Sequence, residues 1–391
     1  TNVIRNGDEF RDANTTGLVF DVADKGNNFG ASGRAIVSNV NTSEGMVTGL
    51  LTELDIAKIR GNWQYRVGHD FANTTYDIND LGVNFRNNFN NFVAGVSYQI
   101  FEPTEWFNNY RISLTARHRR LYQPSVTTGN TVNMNWFFAT KSRLAFGGNL
   151  GYNSEDKDYF EPRVEGRFVR FPSSLGGNIW ISTDYRKKFA FDATLGHRQS
   201  FGEEQPRYNF RFSPRYRFSD KLLVVLSSNG SVRHNQFGYI DQSETEIFFG
   251  QRDIRVLENE ITASYNFDPF KAIDLRFRNF WTVADYSDDV FYVLNEDGTR
   301  TITSYDVEAN DPNRNFDIWN LDLSFRWRFA PGSEATLLYR NQIFKQDNQA
   351  TLSYTESLGN LFEQPIQNTL SLRITYFLDY NNLTAFLKKN S

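Results

Sequence analysis

The chain has 391 residues and a mass of 45.4 kDa, with 42 Lys and Arg against 46 Asp and Glu, a formal charge of −4, no cysteine and four histidines. Without cysteine there is no disulfide framework, thiol nucleophile or Cys-ligated metal, and the slightly acidic balance argues against nucleic-acid binding. Aromatic residues reach 16% at a mean hydropathy of −0.55, so the apolar surface rests on Phe, Tyr and Trp more than is usual for a soluble core.

No stretch approaches the roughly 18 consecutive apolar residues of a membrane-spanning helix. The longest aliphatic run is Leu222 to Leu226. Thr1-Asn2-Val3 opens without Met or an apolar leader, so any signal peptide is expected upstream or already removed.

Period-two alternation dominates from end to end and predicts strands near 16–24, 32–40, 49–59, 62–72, 90–101, 107–122, 131–141, 143–153, 176–186, 188–199, 206–218, 221–233, 254–267, 271–285, 316–330, 333–346 and 368–380. Tyr110, Ile112, Leu114 and Ala116 alternate with Arg111, Ser113, Thr115 and Arg117. Trp319, Leu321, Leu323, Phe325, Trp327 and Phe329 alternate with Asn320, Asp322, Ser324, Arg326 and Arg328, and Leu370 to Tyr380 repeats the pattern. Tight turns fall at Gly61, Lys141-Ser142, Arg186-Lys187, Ser219-Asp220, Asp268-Pro269-Phe270 and Pro331-Gly332. They alternate with long polar connections near 73–89, 154–175, 234–253, 286–315 and 347–367.

Alternating segments of about 9 to 13 residues with aromatic ends suit tilted strands crossing a hydrocarbon layer, whereas soluble sandwiches use strands of about 5 to 6 residues with mixed charge outside. The expected fold is all-β, a transmembrane antiparallel up-and-down β-barrel of large bore with about 16–18 strands, forming one domain over 1–391. Short turns would face the periplasm and long loops the exterior. Seventeen strands is an odd number, and single-chain bacterial barrels have even counts. A missing first strand, ending at Val3 and Ile4, would restore parity and pair between 16–24 and 368–380. The alternative eighteenth strand is Arg163 to Phe171.

Parity places Arg111, Arg117, Arg119, Arg207, Arg211, Arg215, Arg217, Arg276, Arg278, Arg326, Arg328, Arg340 and Arg373 on the face opposite the apolar one, with Asp274, Asp322 and Asp379 beside some of them. Such a set requires water or carboxylates around it, because an unpaired buried charge costs several kcal/mol. Arg–Asp bracing of the wall is the leading expectation; the alternatives are a constricted channel whose guanidinium ladder favours anionic or sugar-like solutes, and a lumen closed by carboxylates from loops and the missing N-terminal segment.

Little points to catalysis. His69 and Asp70 are neighbours on a strand and point to opposite faces. His118 and His197 share the apolar parity. His234 lies beside a long connection, where Ser227, Asp241 or Glu244 are its candidate partners, without a supporting motif. Asn295-Glu296-Asp297-Gly298 matches only half of a calcium loop, in a segment where a solvated loop is the plainer reading. No catalytic residue, metal or cofactor is expected in the chain.

Several strings, taken in order, resemble a known family. They are Tyr76-Asp77 with Asn79-Asp80-Leu81-Gly82, Glu161-Pro162-Arg163 with Gly166-Arg167, Asp184-Tyr185-Arg186-Lys187, Arg252-Asp253 with Leu257-Glu258-Asn259, Phe329 to Glu334, and Tyr376 to Tyr380. The family is that of Bacteroidota outer-membrane proteins with an N-terminal carbohydrate-binding family 9-like domain followed by a barrel domain of unknown function. The resemblance implies that the carbohydrate-binding-like domain and the first barrel strands lie outside this sequence.

The expected role is a pore-like or scaffold barrel in the bacterial outer membrane, presenting extracellular loops and linked to surface carbohydrate binding or uptake. Its alternatives are the membrane anchor of a hydrolase whose active site lies in an absent N-terminal domain, and a non-conducting subunit of a larger outer-membrane complex. Expected partners are membrane lipids and lipopolysaccharide, with an upstream segment of the same protein or other subunits.

Overall fold

Alternation of β-branched and aromatic residues with polar ones, broken by Gly, Pro, Asn and Asp, builds a nearly all-β chain. The computed structural model describes residues 1–5, 11–286 and 288–377, so the readings on Leu378, Asp379 and Tyr380 lie outside the described residues. In chain order the elements are β1 (Asn2–Val3), β2 (Asp12–Ala23), β3 (Phe29–Thr42), β4 (Gly45–Lys58), β5 (Trp63–Ala72), β6 (Phe89–Ile100), β7 (Phe107–Arg120), β8 (Thr127–Thr140) and β9 (Ala145–Asn153). They continue with β10 (Asp156–Asp158), β11 (Val169–Phe171), β12 (Ser174–Ser182), β13 (Phe189–Ser200), β14 (Arg207–Arg217), β15 (Leu222–Gln242), β16 (Ile247–Asp268) and β17 (Lys271–Asp285). The last are β18 (Phe291–Leu294), β19 (Arg300–Thr303), β20 (Arg314–Ala330), β21 (Ser333–Asp347), α1 (Tyr354–Leu361) and β22 (Gln367–Thr375).

The seventeen expected strands correspond one to one with β2–β9, β12–β17 and β20–β22. Each of these pairs antiparallel with its neighbour in that order, β12 following β9 and β20 following β17. Connections at one end, 24–28, 59–62, 101–106, 141–144, 183–188, 218–221, 269–270 and 331–332, are short. The opposite end carries 73–88, 154–173, 286–313 and 348–366, and is here called the loop end.

Three details differ from the alternation reading. Residues 234–253, expected as a loop, continue β15 and β16 into a protruding hairpin. His234-Asn235-Gln236 reads locally as a loop, yet a register shift there, with Asn235 at φ 52°, lets the ladder resume through Phe237 and Tyr239. The 163–171 segment does not join the large sheet, because Val169–Phe171 pairs instead with Asp156–Asp158. Residues 354–361 form a helix, started by a capping box in which Ser353 and Glu356 bond each other's main-chain N–H.

Register fixes the two faces of the sheet. One cross-strand row runs Phe189, Tyr216, Val224, Ala263, Leu275, Leu323, Tyr339 and Leu370 over eight strands, and another runs Tyr65, Val96, Leu114, Met134 and Leu150. Many side chains on this apolar face are exposed, Leu323 at 41% and Leu370 at 72% among them. The opposite face carries the ion pairs. Buried apolar clusters gather at the loop end: Leu51, Ala72 and Tyr76, then Val169, Phe237, Ile247, Phe249 and Leu294, then Trp281, Val283 and Ala350.

At the sheet's two edges, β22 is exposed at every residue and β2 is exposed from Thr16 to Ala23. Among the described residues β22 pairs with β21, β2 pairs with β3, and no pairing joins β2 to β22. β1 lies along the start of β2, Asn2 opposite Asn14 and Val3 opposite Ala13.

Candidate functional site

The charged face is the candidate site, and its arginines divide into two populations. On the first strands Arg34 meets Glu53 at 2.6 Å, Arg66 meets Asp55 at 2.5 Å, and Arg117 meets Asp70 at 3.2 Å. Toward the C-terminus Arg276 pairs with Glu260, Arg278 with Glu258 and Arg340 with Asp322, each at 2.6 Å, and Arg326 lies 3.6 Å from Asp274. Arg119 reaches Asp156 at 3.2 Å and Arg328 reaches Glu334 at 3.8 Å. Most of these pairs link adjacent strands, Arg119 ties its strand to the 154–173 segment, and Arg117 reaches across β6 from β7 to Asp70 on β5.

The second population sits on β13–β15. Arg207, Arg211, Arg215 and Arg217 alternate down β14, and among the described residues none has an Asp or Glu oxygen within 4.0 Å. Arg198 and Arg233, which the alternation reading did not single out, stand directly opposite Arg207 on the two flanking strands. They lie at the ends of the predicted strands 188–199 and 221–233, Arg198 next to last and Arg233 last, where a residue's parity is legible but its cross-strand neighbour is not. Arg111 donates to the Ser97 hydroxyl at 3.4 Å, and Arg373 lies on exposed β22.

The loop end holds a second cluster that local sequence could not assemble. Arg300 of β19, its side chain 8% exposed, pairs with Glu203 at 2.7 Å and lies over the Phe237 ring at 3.7 Å. Burial pushes the Glu203 carboxyl above its ordinary range and the Arg300 guanidinium below its own, each effect opposed by the partner's charge. Among the described residues, buried Glu203 Oε2 and Gln205 Nε2 have no hydrogen-bond partner beside a cavity of about 590 Å³ that Arg170, Asn235 and Tyr292 also line.

His234 Nδ1 lies 2.7 Å from Asp253 Oδ2, so its acidic partner is Asp253 rather than Asp241 or Glu244, and no Ser227 contact is present among the described residues. His69 and His118 are hydrogen-bonded to Asn90 and Asn130, and His197 stacks on Tyr208. Asp297 caps the β18–β19 turn by accepting from the Thr299 main-chain N–H and hydroxyl. Among the described residues no group of three or more His, Cys, Asp or Glu converges as a metal site would.

The match between chain and family extends over residues 1–387. The chain belongs to the family described as Domain of unknown function (DUF5916). No curated protein matches it. In this DUF5916 chain several of the family-like strings lie at tie points between loops. Asp77 and Asp80 hold Arg11, and Asp80 also holds Arg5, fixing the first residues onto the 73–88 loop. Glu161 accepts from the Tyr239 main-chain N–H at 3.1 Å while Arg163 lies over the Tyr239 ring at 4.3 Å, joining the 154–173 loop to the long hairpin.

Proposed function

We propose that this sheet is the wall of an outer-membrane β-barrel whose apolar face meets lipid and whose charged face lines a wet lumen. The observation that carries the reading is an apolar row crossing eight consecutive strands, exposed at five of its positions and half-buried at Val224, Ala263 and Leu275, with ion pairs on the reverse face. A soluble monomer rarely exposes a contiguous apolar patch above a few hundred Å², and a continuous band of this kind fits a hydrocarbon layer. The loop end would face outward, since bacterial barrels keep short turns on the periplasmic side.

In hydrocarbon each unpaired N–H and C=O costs several kcal/mol, so the exposed edges of β2 and β22 require main-chain partners. The reading therefore includes further strand from outside the described residues, from an upstream segment of the same protein or another subunit. The function is passage or display: a pore-like or scaffold barrel presenting surface loops, with lipids and lipopolysaccharide around it. A scaffold with a narrowed mouth is the second reading. It is favoured by the 73–88 loop, whose Tyr76 packs against Leu51 and Ala72 on the charged-face side.

The test is planar-bilayer conductance of the purified full-length protein, alongside its extraction behaviour from bacterial membranes. Discrete conductance steps from a protein that resists carbonate extraction support a pore, and resistance without conductance supports the scaffold. Release by carbonate would overturn the membrane reading.

A further inference from the structure

We propose that the β13–β14–β15 sector of the charged face binds soluble oxyanions, compounds bearing phosphate, sulfate or carboxylate groups, along its column of arginines. This deepens the barrel reading by naming the solute class and rests on that reading only for the column lying in a lumen.

The contrast with the rest of the face carries the inference. Elsewhere on the face most arginines meet an acid, as Arg276 meets Glu260 and Arg340 meets Asp322, with Arg111 and Arg373 as exceptions among the described residues. On this sector Arg198, Arg207, Arg211, Arg215, Arg217 and Arg233 have no carboxylate within 4.0 Å among the described residues. Asp192, on the same face opposite Ser213, is engaged by the Tyr185 hydroxyl at 2.6 Å.

Position makes the absence costly. Arg198, Arg207 and Arg233 form one cross-strand row, and like charges directly opposite on adjacent strands destabilise a sheet. Arg198 is drawn aside to the Ser174 hydroxyl at 3.1 Å and the Gly151 carbonyl at 3.4 Å. Lower in the column the Arg215 guanidinium covers the Tyr185 ring at 3.8 Å, and its buried Nε has no hydrogen-bond partner among the described residues. At about 3.4 Å per residue, Arg207 to Arg217 span roughly 34 Å, so the column runs the length of β14 from loop end to turn end. Guanidinium forks suit oxyanions bidentately, and successive arginines offer a chain of such contacts. The column faces away from the apolar band, so its ligand is a soluble anion rather than a lipid headgroup.

The test is calorimetric titration of the detergent-purified full-length protein with inorganic triphosphate, paired with reversal potentials in bilayers under a salt gradient. Binding should weaken as ionic strength rises. The Arg207→Gln/Arg211→Gln/Arg215→Gln variant should bind at least tenfold more weakly and shift any conductance away from anion preference. The corresponding triple Lys variant, which keeps the charge but loses the bidentate fork, should bind more weakly than wild type and more tightly than the Gln variant. Arg340→Gln/Asp322→Asn, which removes a neutral pair elsewhere on the face, should leave binding unchanged. Stripe-dependent binding without conductance would sink the pore and keep the anion site. Conductance with triphosphate binding that is absent, or lost equally in the Gln and Lys variants, would overturn the anion site.

Discussion

Leu323→Arg separates a lipid-facing sheet from a water-facing one. Leu323 lies in the eight-strand apolar row between Leu275 and Tyr339, with Leu321 and Phe325 on the same face of β20. If that row meets hydrocarbon near mid-depth, an arginine there costs about 2–4 kcal/mol, roughly 30- to 900-fold in the folding equilibrium. If the row meets water, a substitution at a side chain already 41% exposed changes stability by no more than about 0.5 kcal/mol. Ser324→Arg is the internal control, because residue 324 faces Asp274 on the charged side and a new guanidinium there remains hydrated. The assay is urea-titrated folding of the full-length protein into lipid vesicles, followed by tryptophan fluorescence and gel mobility. A Leu323→Arg cost below about 0.5 kcal/mol, or equal costs at both positions, refutes the assignment of faces.

Cysteine placed at Asp297 in the β18–β19 turn, or at Asn348, should react with an impermeant thiol reagent on intact cells, and cysteine at Ser219 should not; the chain has no native cysteine to confuse the signal. Labelling at Ser219 alone would invert the topology. Ser353→Ala removes the side-chain half of the α1 capping box and should destabilise that helix by about 1 kcal/mol, read as faster protease cleavage within 348–366. Hydrogen bonds from Arg5 hold the Asp80 carboxyl below its ordinary value of 3.8, with Arg11 adding to the effect. A depressed folded-state value means the clamp contributes fully above pH 3.8 and is lost as pH falls through that depressed value. Hydrogen-exchange protection of Thr1–Val3 against Ala13–Thr15 should therefore drop at low pH, and Asp80→Asn should lower it already at pH 7. Protection independent of both would show that the clamp does not hold this segment.

Alternation within each strand determined the strand count and the two faces, because a pleated strand sends successive side chains to opposite sides whatever it pairs with. That local rule is why seventeen segments were legible, and why Arg207, Arg211, Arg215 and Arg217 could be put on one face from their numbers alone. It is blind to what lies across the ladder. Register decided that Arg276 finds Glu260 while Arg207 finds Arg198 and Arg233, so only the paired sheet separates bracing arginines from unneutralised ones. Residues 234–253 resemble a loop in composition because a bulge sits among polar residues, and pairing with the partner strand, not composition, carries the hairpin onward. The Ser353-Tyr354-Thr355-Glu356 start of α1 was in the sequence, but its docking against Asn315, Asp317 and Trp281 joins residues from three separate elements. Arg300 and Glu203 are 97 positions apart, and only loop packing at the end of the sheet buries them together.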